Sequence, residues 1–103
     1  KKMKKNPERP KYAKFEKVIG CKWSTSVLME IKNGNKRPGN IKKSIKGIST
    51  KVLTERLKKL ASFGIIDKQT FKEMPPRTEY TITGQGEKLA SIIEQIQELN
   101  ESN

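Results

Sequence analysis

The sequence contains no histidine and only one cysteine, Cys21. Histidine is the commonest general base and the commonest zinc ligand in proteins, so Ser-His and Cys-His catalytic pairs are excluded. A single cysteine forms neither an internal disulfide nor a tetrahedral nitrogen–sulfur zinc site, and it suits a reducing compartment. We therefore expect no metal site and no cofactor, and an enzyme is the least favoured class of protein.

Apolar and aromatic residues are also scarce. Hydrophobic residues make up 32% of the 103 residues, and aromatic residues only 6%. No apolar run approaches the roughly 20 residues needed to cross a bilayer, and the lysine-rich start does not resemble a signal peptide. We expect a cytoplasmic protein with no membrane contact, whose thin core is supplemented by a second subunit. Because the chain begins at Lys1 instead of methionine, we expect a trimmed or partial sequence.

Acidic residues are outnumbered by basic ones, 11 against 23, which gives a net charge of +12. The excess is uneven: residues 1–17 carry +6, residues 18–64 carry +9, residues 65–83 are neutral and residues 84–103 carry −3. The basic N-terminal and central segments indicate a polyanionic partner, whereas the acidic and apolar C-terminal segment indicates a different role. The alternative is that the lysines only solvate the surface.

Hydrophobic periodicity and capping residues predict a single domain over residues 10–103, preceded by a flexible basic arm at 1–9. The predicted elements are helices at 10–19, 22–32, 40–46 and 49–63, strands at 65–71 and 78–83, and a C-terminal helix. Asn40 and Ser49 are the expected N-caps of the third and fourth helices, and Thr83 that of the last helix. The fold class is mainly α, with a two-stranded β-hairpin.

Several short motifs follow one another between residues 20 and 86. They are Lys22-Trp23, Gly34, Arg37, Gly47-Ile48-Ser49, Leu53-Thr54-x-Arg56-Leu57-x-x-Leu60, Gly64-Ile65-Ile66, Pro75-Pro76-Arg77-x-Glu79-Tyr80 and Thr83-x-x-Gly86. In order and spacing this set resembles the HxlR-type bacterial and archaeal transcription regulators. The resemblance implies a winged helix-turn-helix fold, binding of double-stranded DNA as a homodimer, and control of transcription. In that fold the hairpin is the wing, and we assign the C-terminal helix to dimerisation.

The chain departs from the family pattern in two places. Many relatives carry Cys-Pro near the start of the first helix, where the cysteine can sense oxidants or electrophiles, and this chain has Arg9-Pro10 there. Relatives usually have phenylalanine after the arginine that matches Arg37, and this chain has Pro38. We therefore expect the path into the third helix to differ.

Two groups of residues are candidates for contacting DNA. On helix 49–63, the side chains that would face base edges in a major groove are Thr50, Lys51, Thr54, Glu55 and Lys58. Ser49 belongs to the same DNA-binding set, with two roles open, because an N-cap hydroxyl can also approach a phosphate. Phosphate contacts would come from Lys36, Arg37, Lys42 and Lys43. The alternative for the helix is an ordinary solvated face.

Arg56 is expected to have a structural role, and the hairpin is expected to contact DNA outside the major groove. Arg56 falls within the apolar sector of its helix, so we expect it to pair with Glu79 and to support the fold more than to contact DNA. Lys68, Lys72 and Arg77 lie near the hairpin tip and would touch phosphate or the minor groove as a wing. The alternative for the hairpin is a plain exposed loop.

The C-terminal helix carries an apolar stripe that predicts a dimer interface with the first helix, and the alternative is packing against its own core. The residues of this predicted interface are Tyr12, Phe15, Leu89, Ile92, Ile93, Ile96 and Leu99. Cys21 is a candidate redox switch because the adjacent Lys22 would favour the thiolate. The alternative is a buried, inert thiol.

These features together predict a sequence-specific DNA-binding transcriptional regulator, acting as a homodimer on half-sites about 34–36 Å apart. One rival is a small basic RNA- or ribosome-associated protein, for which exposed stacking aromatics would be expected. Another is a protein-interaction module. Activation or repression, the operator sequence and any small-molecule inducer are not specified by the sequence.

Overall fold

A computed structural model of the chain describes residues 13–101. The elements follow in the order α1 (Ala13–Ile19), α2 (Lys22–Lys32), α3 (Pro38–Ser44), α4 (Thr50–Ser62), β1 (Ile66–Phe71), β2 (Arg77–Ile82) and α5 (Gly84–Glu101). This arrangement of helices around one hairpin confirms the winged helix-turn-helix fold. The predicted arm at 1–9, the start of the first predicted helix and Tyr12 lie outside the described residues.

The third helix differs from its prediction. It spans Pro38–Ser44 instead of 40–46, and Arg37, not Asn40, occupies the N-cap position. Proline suits the first turn of a helix, because its φ is already helical and its missing N–H would have no partner there. Pro38 therefore starts the helix, two residues before its predicted start. Ile45 is extended and ends the helix.

Helix α4 confirms the predicted cap and the predicted stop. Ser49 has extended backbone angles, and its Oγ accepts a hydrogen bond from the Val52 amide at 3.1 Å. The apolar side buries Leu53, Leu57 and Leu60 in the core. At the other end Gly64 takes a positive φ of 77°, a conformation that favours glycine and turns the chain into the hairpin.

The hairpin is antiparallel, with Ile66 opposite Ile82 at its base and Phe71 opposite Arg77 near its tip. The strands begin and end within one residue of their predicted limits. The outer edge of β2 is also occupied, because the Tyr80 amide donates to the Lys36 carbonyl at 2.9 Å. The loop between α2 and α3 is thereby fastened to the wing.

The core is a single cluster to which every helix and both strands contribute. Its buried members are Val18, Val27, Leu28, Ile31, Ile41, Ile45, Ile48, Leu53, Leu57, Leu60, Ile65, Ile66, Tyr80, Leu89, Ala90 and Ile93. Thr83 fastens α5 to this cluster, since its Oγ1 accepts from the Gly86 amide at 3.0 Å and lies 2.9 Å from the Ile65 carbonyl. The predicted cap at Thr83 is confirmed.

The apolar stripe of α5 is divided between two environments. Leu89 and Ile93 are each only 4% exposed and pack into the core of their own chain. Ile92, Ile96 and Leu99 are 49%, 46% and 69% exposed. The prediction that the whole stripe faces a second subunit is therefore corrected: Leu89 and Ile93 attach the helix to the domain. No helix within residues 13–101 combines the length and apolar character needed to cross a membrane.

Candidate nucleic-acid interface

The polar side of α4 is fully available at the surface. Ser49, Thr50, Lys51, Thr54, Glu55 and Lys58, the residues chosen from the sequence, are all exposed. For Lys51, Thr54, Glu55 and Lys58 the reason is helical geometry, because at 100° per residue these positions point away from the side that the core covers. Ser49 and Thr50 stand at the N-cap and the first position of the helix and are exposed there. We call these six residues the outer face of α4.

Positive charge surrounds the outer face. Residues 36–59, which comprise α3, the turn and most of α4, contain nine basic residues and one acidic residue, Glu55. Lys36, Lys42 and Lys43 are exposed, as predicted for phosphate contacts. Within residues 13–101 these three lysines form no ion pair with a carboxylate, so their charge is available to a ligand.

Two further exposed lysines of this region were not selected from the sequence. Lys46 lies in the turn between α3 and α4, and Lys59 lies near the end of α4. Lys46 lies in the same predicted helix as Lys42 and Lys43, which were selected. Its position directly before Gly47, at the entry to the capped helix, was the available signal.

The arginines near the wing are partly engaged by carboxylates. Arg77 Nη1 lies 2.9 Å from Glu73 Oε2, and Arg77 Nε lies 3.1 Å from Glu79 Oε2, although this second contact is too poorly directed to count as a hydrogen bond. The Arg77 guanidinium also stacks on the Phe71 ring at 4.2 Å. Arg37 Nε approaches Glu79 Oε2 at 3.5 Å but keeps 54% of its side chain exposed. Arg37 can still reach a phosphate, whereas Arg77 is held within the hairpin.

The predicted pairing of Arg56 with Glu79 is wrong. Glu79 is taken by Arg37 and Arg77, and the Nε of Arg56 is buried without a hydrogen-bond partner in the described part of the chain. The side chain is half-buried, as expected for a position inside the apolar sector of α4. Its charge lies near Cys21, where it favours the thiolate.

Cys21 occupies the N-cap position of α2 and is half-buried. Burial acts to raise the pKa of its thiol, but interactions with the hydroxyl and amide of Ser24, together with the charge of Arg56, lower it, and the net shift is downward. Lys22, the neighbour expected to favour the thiolate, instead places its ammonium 5.0 Å from the centre of the Trp23 ring. The perturbing groups therefore differ from those inferred from the sequence.

A groove lies between α1 and the start of α5, and no residue of the outer face of α4 lines it. It has a volume of about 590 Å³ and is lined mainly by apolar groups of Phe15, Ile19, Leu89 and Ile92. Beside it, Lys14 Nζ donates to the Phe63 carbonyl at the end of α4, at 3.1 Å. Helix α1 thus forms one wall of the groove and is also hydrogen-bonded to the end of α4.

Residues 18–103 match the family model described as an HxlR-like helix-turn-helix. The chain belongs to the HxlR-like helix-turn-helix family. This result confirms the resemblance inferred from the motifs, and the family match covers every element from α2 to α5.

One sequence relative and two solved structures illustrate what this chain is similar to. A protein of Synechocystis named as an HTH-type transcriptional regulator is 38% identical over 76 residues, which are 74% of this chain and 56% of the relative. A MarR-family transcriptional regulator from Porphyromonas gingivalis is 35% identical with a TM-score of 0.79, covering 98% of this chain and 99% of that one. The reduced form of the regulator YodB from Bacillus subtilis is 31% identical with a TM-score of 0.76, covering 88% and 89% of the two chains. This chain spans little more than half the length of the Synechocystis relative.

Proposed function

We propose that this protein binds double-stranded DNA in a sequence-specific manner and regulates transcription. The observation that carries the proposal is the outer face of α4, which is capped, exposed and set within a region of nine basic residues and one acidic residue. The names of its relatives as transcriptional regulators support the same function. We place this activity in the cytoplasm.

The N-terminal half of α4 enters the major groove in this proposal. There Lys51 would donate to guanine, Glu55 would accept from the amino group of cytosine, and Thr54 would contact a base edge or a thymine methyl group. The lysines of α3 and the preceding loop would contact phosphates, which position the protein without reading sequence.

The test is a DNA-binding titration over a series of salt concentrations, using duplexes selected from a random pool. We expect steep salt dependence, because each phosphate contact adds about 0.9 to the slope of log K against log salt. Lys42→Ala should lower the slope by about that amount, whereas Glu55→Gln should change which sequences are selected. Lys17→Ala is the matched control, since this exposed lysine lies on α1, outside the surfaces assigned to DNA.

A single-stranded RNA of equal length separates this proposal from the RNA-binding alternative. Tighter binding to that RNA than to any selected duplex, or salt-independent binding to DNA, would contradict the proposal. Absence of binding to either nucleic acid would favour the protein-interaction module.

We further propose that the protein acts as a homodimer through α5 and α1. Ile92, Ile96 and Leu99 are exposed at spacings of four and three residues, which align them along one side of α5. They continue the apolar surface of the groove lined by Phe15, so a partner helix would cover both. The interface residues are thus Phe15, Ile92, Ile96 and Leu99, with Leu89 and Ile93 beneath them.

Sedimentation equilibrium tests the dimer. Ile96→Glu should shift the protein to monomer and weaken binding to a two-half-site duplex, with little effect on a single half-site. Gln95→Glu adds the same charge at the neighbouring exposed position and should leave the dimer intact. Equal behaviour of the two variants would show that the stripe is not the interface.

A second candidate role is a redox switch at Cys21. The lowered thiol pKa supports it, because the thiolate is the form that reacts with oxidants. DNA affinity should fall when the wild-type protein is treated with peroxide, and it should stay constant in Cys21→Ser. Unchanged affinity of the treated wild-type protein would exclude the switch.

A further inference from the structure

Met74 is the most exposed large hydrophobic residue of the described chain, at 95%. It lies in the loop between β1 and β2, at the tip of the hairpin, directly before Pro75 and Pro76. A single exposed apolar side chain is ordinary on a protein surface. What gives Met74 significance is the arrangement of the charged and stiff residues around it.

The nearest arginine does not project from the tip. Arg77 is occupied by the carboxylates of Glu73 and Glu79 and by the ring of Phe71, so its guanidinium is directed into the hairpin. This arrangement has two effects. It joins the two ends of the tip loop, and it neutralises Glu73, whose free charge would otherwise repel a DNA backbone.

The residues left to contact a ligand at the tip are therefore one cation and one apolar side chain. Lys72 is exposed and forms no ion pair within residues 13–101. Met74 is unbranched and flexible, so it adapts to an irregular surface. The two prolines limit the backbone freedom of the loop and reduce the entropy lost when it is immobilised.

The length of the hairpin fits a contact one groove away from α4. Six-residue strands extend about 20 Å at roughly 3.4 Å per residue. Neighbouring major and minor grooves are separated by about half of the ~34–36 Å repeat of the DNA helix, or ~17 Å. β1 starts four residues after the end of α4, so the hairpin emerges next to the helix proposed for the major groove.

We propose that Met74 enters the minor groove beside the half-site and makes an apolar contact with its walls, with Lys72 on an adjacent phosphate. This inference rests on the proposed DNA-binding function. Minor-groove proteins do place apolar side chains, methionine among them, in this groove, where they can also wedge between base steps. The contact is expected to favour A·T pairs, because the amino group of guanine projects into the minor groove of G·C pairs. Arg77 acts in this scheme as a positioning residue that never touches DNA.

The experiment compares wild type, Met74→Gln and Lys72→Ala on selected duplexes whose wing-facing flank is either A·T or G·C, at several salt concentrations. Glutamine keeps the side-chain length and removes the apolar end. We expect Met74→Gln to bind the A·T duplex about tenfold more weakly, with an unchanged salt slope and no preference between flanks. Lys72→Ala should lower the slope by about 0.9 and keep the preference. Because both side chains are exposed, the variants should melt like the wild type.

Three results would overturn the inference: wild-type affinity in Met74→Gln, a loss of affinity accompanied by a smaller salt slope, or a loss that leaves the flank preference intact. The underlying function is judged separately. If wild type binds no duplex, DNA binding itself is refuted, whereas wild-type binding unaffected by Met74→Gln refutes only the apolar wing contact.

Discussion

Replacing Gly86 with alanine should severely destabilise the junction between the wing and α5. A Cβ at this position would overlap the Ile65 carbonyl oxygen and lie 2.7 Å from Ile82 Cγ1. The Ile65 carbonyl is not free to move away, because it accepts a hydrogen bond from the Thr83 amide at 3.1 Å and lies 2.9 Å from the Thr83 hydroxyl. Relief of the overlap would require α5 to move off β2.

The magnitude follows from the kind of contact. Forcing an extra carbon into a well-packed core typically costs 1–3 kcal/mol, and here one of the opposing atoms belongs to a pinned backbone, so we expect about 3 kcal/mol. For a domain of this size each kcal/mol lowers the melting temperature by roughly 4–8 °C. Gly86→Ala should therefore melt ~12–24 °C below the wild type.

Thermal unfolding followed by circular dichroism measures this difference, with Gly84→Ala as the matched control. Gly84 lies two residues away in the same first turn of α5, and no atom stands within 4 Å of a Cβ built there. That variant should melt at or above the wild-type temperature, because alanine is the better helix former. Melting temperatures of the two variants within a few degrees of each other would refute the steric argument.

Three further predictions concern single side chains. Ser49→Ala removes the cap of α4 and should lower the free energy of unfolding by about 1 kcal/mol in urea titrations; a loss below ~0.3 kcal/mol would show that the cap contributes little. Lys14→Met removes the ammonium that donates to the Phe63 carbonyl at a helix C-terminus, and should destabilise the protein more at low salt than at high salt; a salt-independent loss would contradict this electrostatic origin. The pKa of Cys21 is lowered in the folded chain, so its thiolate forms at lower pH there than in the unfolded chain. The rate of alkylation by iodoacetamide should therefore reach half its maximum at a lower pH in the native protein than in urea. A native midpoint at or above the unfolded one would contradict the role of Ser24.

Local features were predictable from sequence because their causes are local. The cap at Ser49, the stop at Gly64 and the exposed outer face of α4 each depend on interactions between residues no more than about one helical turn apart. All three features are present in the structure. The predicted start of α3 was two residues late, at Asn40, although a proline such as Pro38 is compatible with the first turn of a helix.

Features that depend on tertiary geometry were less accessible. Helical periodicity puts Leu89 and Ile92 on one stripe, but it does not say which of them the domain buries and which it leaves exposed. The partner of Glu79 depends on which guanidinium is closest in the folded chain, and Arg77 on the same strand and Arg37 in the loop before α3 both form ion pairs with it, whereas Arg56 does not. The ion pair between Arg77 and Glu73 at the hairpin tip and the exposure of Met74 likewise carry no periodic signal.

The attachment of the α2–α3 loop to β2 has a consequence for how DNA shape would be read. The Tyr80–Lys36 backbone hydrogen bond and the shared carboxylate of Glu79 connect the wing to the segment that leads into α3. The wing and the loop before α3, both of which we propose to contact DNA, are therefore held at a fixed separation. A duplex whose grooves already have the matching width and spacing needs no deformation, whereas any other sequence must be bent or compressed at an energetic cost. Base pairs that no side chain touches would then still contribute to the choice of operator.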